Sequence, residues 1–373
     1  MHKPRRKGLY LVPLLSKALD IQELLERAQE PLTLEVIYKA ANCPKTTAYR
    51  ILKTYVHRGY FAQGQDGRYR TSSQRKKIRF GFAAQSSGMP FSETVTESLT
   101  SAALAHGVEL LVLDNQYDSR IAVANVARMI KEKVDLAIDF QMDMGVTGEI
   151  GDMISGAGIP MIAVDLPIPH ATYFGADNYR IGFSAGEILA RQAMASWGGN
   201  VSWVLGLDVD QAGPFVANRT IGAFDAIRKH LPGIPQEYFS RADSAGRRER
   251  GYRVVLDFLR RHPKEKGILI VAHNDVVALG AVQAVRELRR QRRVMVVGQD
   301  CIPEATKEME RPDSPLVGSI ANAAESYGPQ LISLGLAILQ GQVVSPYNFT
   351  EHEVITRDSV CKANGKAVTK DDE

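Results

Sequence analysis

The sequence has 373 residues, 45% of them hydrophobic and 24% charged, with a net charge of +4, a composition that suits a globular chain with two or three cores. No run of 18 apolar residues occurs, and no apolar stretch or small-residue cleavage site follows the basic N-terminus, so neither a spanning helix nor a secretory signal is expected and a cytoplasmic location is. Cys43, Cys301 and Cys361 are too far apart for a metal clip and too few for a disulfide framework, and the histidines are scattered, so no metal or cofactor is expected.

After a basic tail, HKPRRK, an amphipathic run from Leu14 to Ala28 places Ala18, Ile21 and Leu25 on one face and predicts a first helix. EPLT breaks it, and Leu34 to Ala41 predicts a short second helix with Val36, Ile37 and Ala40 buried and Thr33 as its cap. NCP is a tight turn into a third helix over Pro44 to Arg58, with Pro44 suited to its first position. Ala48, Ile51, Leu52 and Tyr55 recur on one face of that helix, and Thr46, Tyr49, Arg50, Lys53 and His57 fall opposite. Cations, short hydroxyls and an aromatic ring without any carboxylate suit phosphates and base edges, although an ordinary solvated face has a similar make-up. Gly59 ends the helix, and YFAQ and RYRT around the Asp66-Gly67 turn predict two short strands, completing a winged helix-turn-helix.

Charge supports a polyanionic partner. Residues 1–79 carry 17 Lys and Arg against 6 Asp and Glu, a charge of +11, and the other 294 carry 29 against 36, a charge of −7. A membrane surface would also attract cations, but this segment offers no exposed Trp, Phe or Leu wedge beside them. Residues 12–70, VPLLSKALDIQELLERAQEPLTLEVIYKAANCPKTTAYRILKTYVHRGYF through GQDGRYR, resemble the winged helix of isocitrate-lyase-regulator (IclR-type) transcription factors. The resemblance implies that Lys45, Thr46, Thr47, Tyr49, Arg50 and Lys53 face the major groove of double-stranded DNA, with Arg68 and Tyr69 along the backbone or minor groove. Beyond residue 70 the chain departs from that family's usual effector domain.

TSSQRKK, residues 71–77, is polar, basic and aperiodic, as a linker would be. Short apolar runs then alternate with helical ones: IRFGFAA, VELLVLD, DLAIDF, IPMIAVD and ATYFGAD, and again VSWVLGLD, GILIVAHND, RVMVVGQD and LVGSIAN. This is the βαβ rhythm of parallel sheets flanked by helices, here in two similar α/β lobes. Strands end on Asp114, Asp165, Asp208 and Asp300, with Asp275 just past its strand. Carboxyl ends of parallel strands border the ligand crevice, so these are site candidates, each of which could equally be a helix cap.

Residues 78 to about 360 resemble the two-lobed effector domain shared by periplasmic sugar-binding proteins and lactose-repressor-family regulators, through IRFGFAAQSSGMPF, IPMIAVDLPI, TYFGADNYRIG, ANRTIGAF, VAHNDVVALGA, VVGQD and VGSIAN. That resemblance implies a cleft between lobes where Gln85, Phe91, Asp165, Asn178, Arg219, Asn274, Asp275 and Asp300 meet a ligand, polar groups to hydroxyls and a ring to a C–H face. Gln299 is unusual against the family, and His170 and Tyr173 lie in a segment where specificity could differ. Lobe crossings are expected near 176–179, 320–323 and 342–347, giving an N-lobe of about 78–177 and 322–345, a C-lobe of about 178–321 and 346–360, and a disordered tail over 361–373.

GFSAG, residues 182–186, matches the nucleophile-elbow pattern, but it continues as helix through EILARQAMASW, so close helix packing is expected instead of catalysis. DVD at 208–210 lacks the oxygen-rich loop of a calcium site. The expected function is a ligand-controlled transcription regulator and not an enzyme, acting as a homodimer on a two-fold operator with a sugar-like effector. The alternative, a solute-binding component of sugar uptake, would have no use for the +11 segment.

Overall fold

A computed structural model describes residues 12–72 and 78–363, divided into one unit up to Lys77 and a second from Ile78. The basic tail, linker residues 73–77 and residues 364–373 lie outside the described residues.

The first unit contains α1 (Pro13–Arg27), α2 (Leu34–Ala40), α3 (Lys45–His57) and a hairpin of β1 (Phe61–Gln63) and β2 (Tyr69–Thr71). Its core joins Ile21 and Leu25 of α1 to Ile37, Ala48, Ile51, Leu52 and Phe61. Each large aliphatic side chain here contributes about 1.5–3 kcal/mol. The Tyr55 hydroxyl donates to the Ala18 carbonyl at 2.9 Å, fixing α3 against α1. Pro44 takes the cap position, one residue before α3, with Gly59 in the left-handed region just after it. In α2 the burial differs from expectation: Ile37 is buried, but Val36 and Ala40 face out, because seven residues give only two turns and one inward row.

In the second unit, the first lobe is laid down as β3 (Arg79–Ala84), α4 (Pro90–Ala105), β4 (Glu109–Asp114), α5 (Ser119–Lys131), β5 (Leu136–Phe140), α6 (Thr147–Gly156), β6 (Met161–Val164) and β7 (Thr172–Ala176). The second lobe comprises α7 (Asn178–Trp197), β8 (Trp203–Asp208), α8 (Gly213–His230), β9 (Phe239–Asp243), α9 (Arg248–Arg261), β10 (Ile268–Ala272), α10 (Asp275–Glu287), β11 (Val294–Gln299), α11 (Pro303–Met309) and β12 (Leu316–Ala321). The chain returns for α12 (Tyr327–Leu339) and β13 (Tyr347–Thr350), and closes with β14 (Glu353–Thr356) and α13 (Arg357–Ala363), which runs three residues into the expected tail.

Each lobe has a six-stranded sheet, ordered β13-β7-β6-β5-β3-β4 in the first and β14-β12-β11-β10-β8-β9 in the second. Every pairing in the first is parallel, and only β14 runs antiparallel in the second. Central strands such as β5 and β10 are buried along their whole length, which is why they read as continuous apolar runs.

The third crossing lies at residues 351–352 and not at 342–347, so residues 346–350 belong with the first lobe. Backbone pairing decides this. Tyr347 pairs with Tyr173 of β7, and the Tyr347 and Phe349 rings pack 5.5 and 5.7 Å from the Tyr173 ring, covering an otherwise open sheet edge.

Candidate functional site

On α3, Lys45, Thr46, Tyr49, Arg50 and Lys53 are exposed and Thr47 is half-buried, one continuous polar face opposite Ala48, Ile51 and Leu52. Arg50 makes no ion pair among the described residues, so its guanidinium is available. Lys53 leans over the Tyr49 ring at 5.5 Å and donates to Gln63 of β1. Arg68 is exposed beside Asp66, its Nε 3.5 Å from Oδ2.

Tyr69 corrects the expectation. It is only 1% exposed, belongs to the core of this unit, and its backbone exchanges two hydrogen bonds with Leu32 at 2.7 and 2.8 Å. Strand alternation turns Arg68 and Arg70 outward and Tyr69 inward, so Arg70 is the surface cation that the sequence reading passed over.

In the second unit, Arg219 on α8 is buried, donating from Nε to Asn178 Oδ1 at 2.6 Å and from Nη1 to the His273 carbonyl at 3.1 Å. Asp165 from the first lobe and Asp300 from the second both feel its charge, yet neither lies within ion-pair distance. Burial raises the Asp165 carboxyl and pushes Asp300 up to about 7, with Arg219 pulling both back. Asp165 accepts from the Ala176 amide at 3.2 Å and from the Tyr327 hydroxyl at 3.3 Å, and Asp300 from Asn322 Nδ2 at 3.1 Å. Asn178 Nδ2, Asn322 Oδ1 and both amide atoms of Gln299 are buried without a partner. Orphaned buried amides of this kind cost about 1–3 kcal/mol each and are relieved by any group that bonds them.

Backbone conformation separates the strand-end aspartates. Asp165 and Asp300 have φ of 60° and 100°, a left-handed turn that swings the carboxylate out of the strand's alternation. The others are consumed locally: Asp114 by Ser87 at 2.6 Å and the Gln116 amide at 2.7 Å, Asp208 by Thr220 and Arg241.

Of the eight residues expected to touch ligand, Asp165, Asn178, Arg219 and Asp300 come together, and Phe91 stands 5.4 Å from the Tyr327 ring that bonds Asp165. Three do not join as expected. Asp275 is completely buried and accepts from the Ser319 hydroxyl at 2.8 Å and the Ile302 amide at 2.9 Å, a tie inside the second lobe. Asn274 uses Oδ1 to cap α10 through the Val277 amide at 2.9 Å. Gln85 opens onto a cavity toward β4 and β5. Asn322, Tyr327 and Gln299 were missed as site residues, although VGSIAN and VVGQD placed Asn322 and Gln299 at strand ends.

The two lobes meet across the cleft. The Tyr117 hydroxyl donates to the Ala245 carbonyl at 3.3 Å, Arg247 lies 4.6 Å over the Tyr117 ring, and Tyr173 packs 5.1 Å from Phe215 of α8. Ser184 is the seventh residue of α7, in regular helix, 3.0 Å from His352 Nε2. Its flanking Gly182 and Gly186 let α7 approach α8, since a Cβ at either would collide with the Arg219 or Ala223 carbonyl. Among the described residues no helix is long and apolar enough to cross a membrane.

Comparison with known proteins agrees with this geometry. An IclR helix-turn-helix domain matches residues 14–64, and a periplasmic binding protein domain matches residues 80–342. The ribose import binding protein RbsB of Bacillus subtilis is 22% identical over 276 residues, covering 73% of this chain and 85% of its own length. A solute-binding protein of Bacillus halodurans with bound myo-inositol superposes with a TM-score of 0.67 at 20% identity over 79% of this chain and all of its own. A Mycobacterium smegmatis protein in complex with β-D-fucofuranose gives 0.67 at 22% identity, covering 77% of this chain and 93% of that one. The chain belongs to the periplasmic binding protein domain family, with an IclR helix-turn-helix domain ahead of the two-lobed domain.

Proposed function

We propose that the protein is a ligand-responsive, DNA-binding transcription regulator whose two-lobed domain senses a sugar or sugar derivative and acts by binding alone, without catalysis. The observation that carries this reading is Arg219, a buried cation flanked by carboxylates from both lobes that it does not directly pair with, among orphaned amides. Vicinal hydroxyls, which each donate and accept, complete such a set, and Phe91 offers a ring for a C–H face. The related proteins that hold ribose, myo-inositol or fucofuranose support the same ligand class. The helix-turn-helix unit, with its unpaired Arg50, favours regulation over uptake, since solute capture needs no DNA-reading helix.

Lys45, Thr46, Thr47, Tyr49, Arg50 and Lys53 face the major groove in this reading, with Arg68 along the backbone. A homodimer reads two half-sites, one small unit being too little contact for a specific operator. Effector and operator affinities are then reciprocally coupled. The test is a thermal-shift screen of the full chain against pentoses, hexoses, sugar alcohols, sugar acids and phosphosugars, followed by operator binding with and without the hit. A ligand at about 100 times its Kd adds roughly 2.7 kcal/mol. No shift from any compound would refute the sugar reading, and a hit without effect on DNA affinity would refute the coupling.

A further inference from the structure

Toward the ends of β3, β4 and β5, a cavity of about 280 Å³ opens between the lobes. Four carboxamides line it: Gln85, Asn115 and Gln141 from the first lobe and Gln211 from the second. A carboxamide donates and accepts without charge, the pattern a hydroxyl presents in return. Of the charged groups on the wall, Asp118 and Arg120 already neutralise each other at 2.9 Å, and Asp143 is turned to the Gly145 amide at 2.8 Å. An anion would therefore face the Asp143 carboxylate with Arg120 already engaged, and a cation would find only that one carboxylate, so the lining favours an uncharged occupant.

The wall is built. Asn115, 1% exposed, donates from Nδ2 to Asp139 Oδ1 and the Phe140 carbonyl, both at 3.2 Å, and accepts from Asn125 at 2.9 Å, which holds the back rigid. Gln141, 4% exposed, accepts the Asp143 amide through Oε1, and its Nε2 has no partner. That unpartnered donor marks the place of an acceptor. Tyr117, bonded across the lobes to Ala245, also borders the cavity. At about 30 Å³ per liquid water the volume equals some nine waters, close to the lower end of small-molecule pockets, so it suits one ring-sized unit.

We propose that this cavity is a second subsite for a neutral polyhydroxylated unit, supplied either as the second glycosyl residue of an effector anchored at Arg219 or as a separate polyol. The inference rests on the sugar-sensing reading above and extends it. Because Gln211 belongs to the opposite lobe, an occupant touches both lobes and favours their closed arrangement.

Calorimetric titration of the full chain with D-ribose, D-allose, D-galactose, L-arabinose, myo-inositol, lactose, maltose, melibiose and sucrose tests it, in wild type, Gln141→Met, Gln211→Ala and Arg219→Ala. The expected result is a disaccharide whose Kd rises at least tenfold in Gln141→Met and in Gln211→Ala, while the Kd of any binding monosaccharide moves less than twofold. A monosaccharide or inositol binding at two per chain, reduced to one in those variants, identifies the separate-polyol source and equally supports the subsite. Gln211 is exposed, so its variant remains informative if Gln141→Met fails to fold. Equal weakening of mono- and disaccharides, or a binding sugar that neither variant affects, overturns the subsite and leaves the Arg219 site standing. Absence of binding by the whole panel overturns both.

Discussion

On the outward face of α3, Lys45, Thr46, Tyr49 and Arg50 stand in solvent with their donors available, whereas in the cleft Arg219 is buried, and the amides of Asn178 and Asn322 are buried, bonded through one atom and orphaned at the other. The two arrangements do different work. Exposed cations attract a polyanion from a distance, weaken with salt, and tolerate many sequences until a guanidinium meets a base edge. Buried orphans contribute only on contact, and a ligand lacking one hydroxyl leaves a group unpaired, which makes the discrimination steep.

The sharpest way to break this contrast is at Tyr69, which the contrast assigns to neither class. Tyr69→Ala should destabilise the first unit by about 3–5 kcal/mol, read by calorimetry as an earlier transition. A stable variant that had lost only DNA affinity would return Tyr69 to the groove. In the cleft, Arg219→Ala should weaken effector binding by about 2–5 kcal/mol in titration calorimetry, because Asn178 loses the guanidinium bonded to its Oδ1 and the two carboxylates lose the positive charge that offsets them. Unchanged affinity would remove the cleft's central cation from the site.

Acid carboxyls supply a pH arm. Burial pushes Asp139 up to about 7, against the lowering effect of its bond from Asn115. Its folded value lies above the unfolded one, so the stability it contributes is present below about pH 4 and is lost as pH rises through about 7, by up to about 1.4 kcal/mol per pH unit. Asp139→Asn should flatten that slope in thermal melts between pH 4 and 7, and an identical slope in both proteins would assign it elsewhere. On α3, Arg50→Ala should cost about 1–3 kcal/mol on the operator and little on random DNA, while Arg68→Ala should weaken both alike. Anisotropy titrations that showed equal losses for both variants would erase the division between reading and positioning. Smallest of all, Ser184→Ala should lower stability by about 1 kcal/mol through its bond to His352 and leave no ester hydrolysis to lose.

Legibility followed the same division. Periodicity located α1 to α3 and the buried strands, because one-sided and two-sided burial leave different apolar spacings. It did not find β9 or β13, edge strands whose residues are polar or only partly buried and carry no such spacing. Strand-end aspartates were visible as a set, but the two that feel the Arg219 charge, Asp165 and Asp300, differ from Asp114 and Asp208 by a positive φ, and aspartate tolerates that turn without any mark in the neighbouring sequence. Asp275 was misread for a related reason: its partners Ser319 and Ile302 come from elements 27 to 44 residues away. Tyr69 lies in a strand of three residues, too short for alternation to declare which side faces in.

The chain crosses between the two sheets at residue 177, over 322–326 and at 351–352, and in each sheet the strands at those crossings are the outer pair on one edge, β7 with β13 and β12 with β14. Two stiff plates strapped three times along a shared margin keep one easy angular coordinate and resist sliding or twisting. A ligand bound as proposed would thus be translated into a single number, how far the plates have swung. On the proposed sensing role, two ligands that reach the same angle would send the same message, and the domain would report that its cleft is filled and leave the chemical identity of the occupant behind.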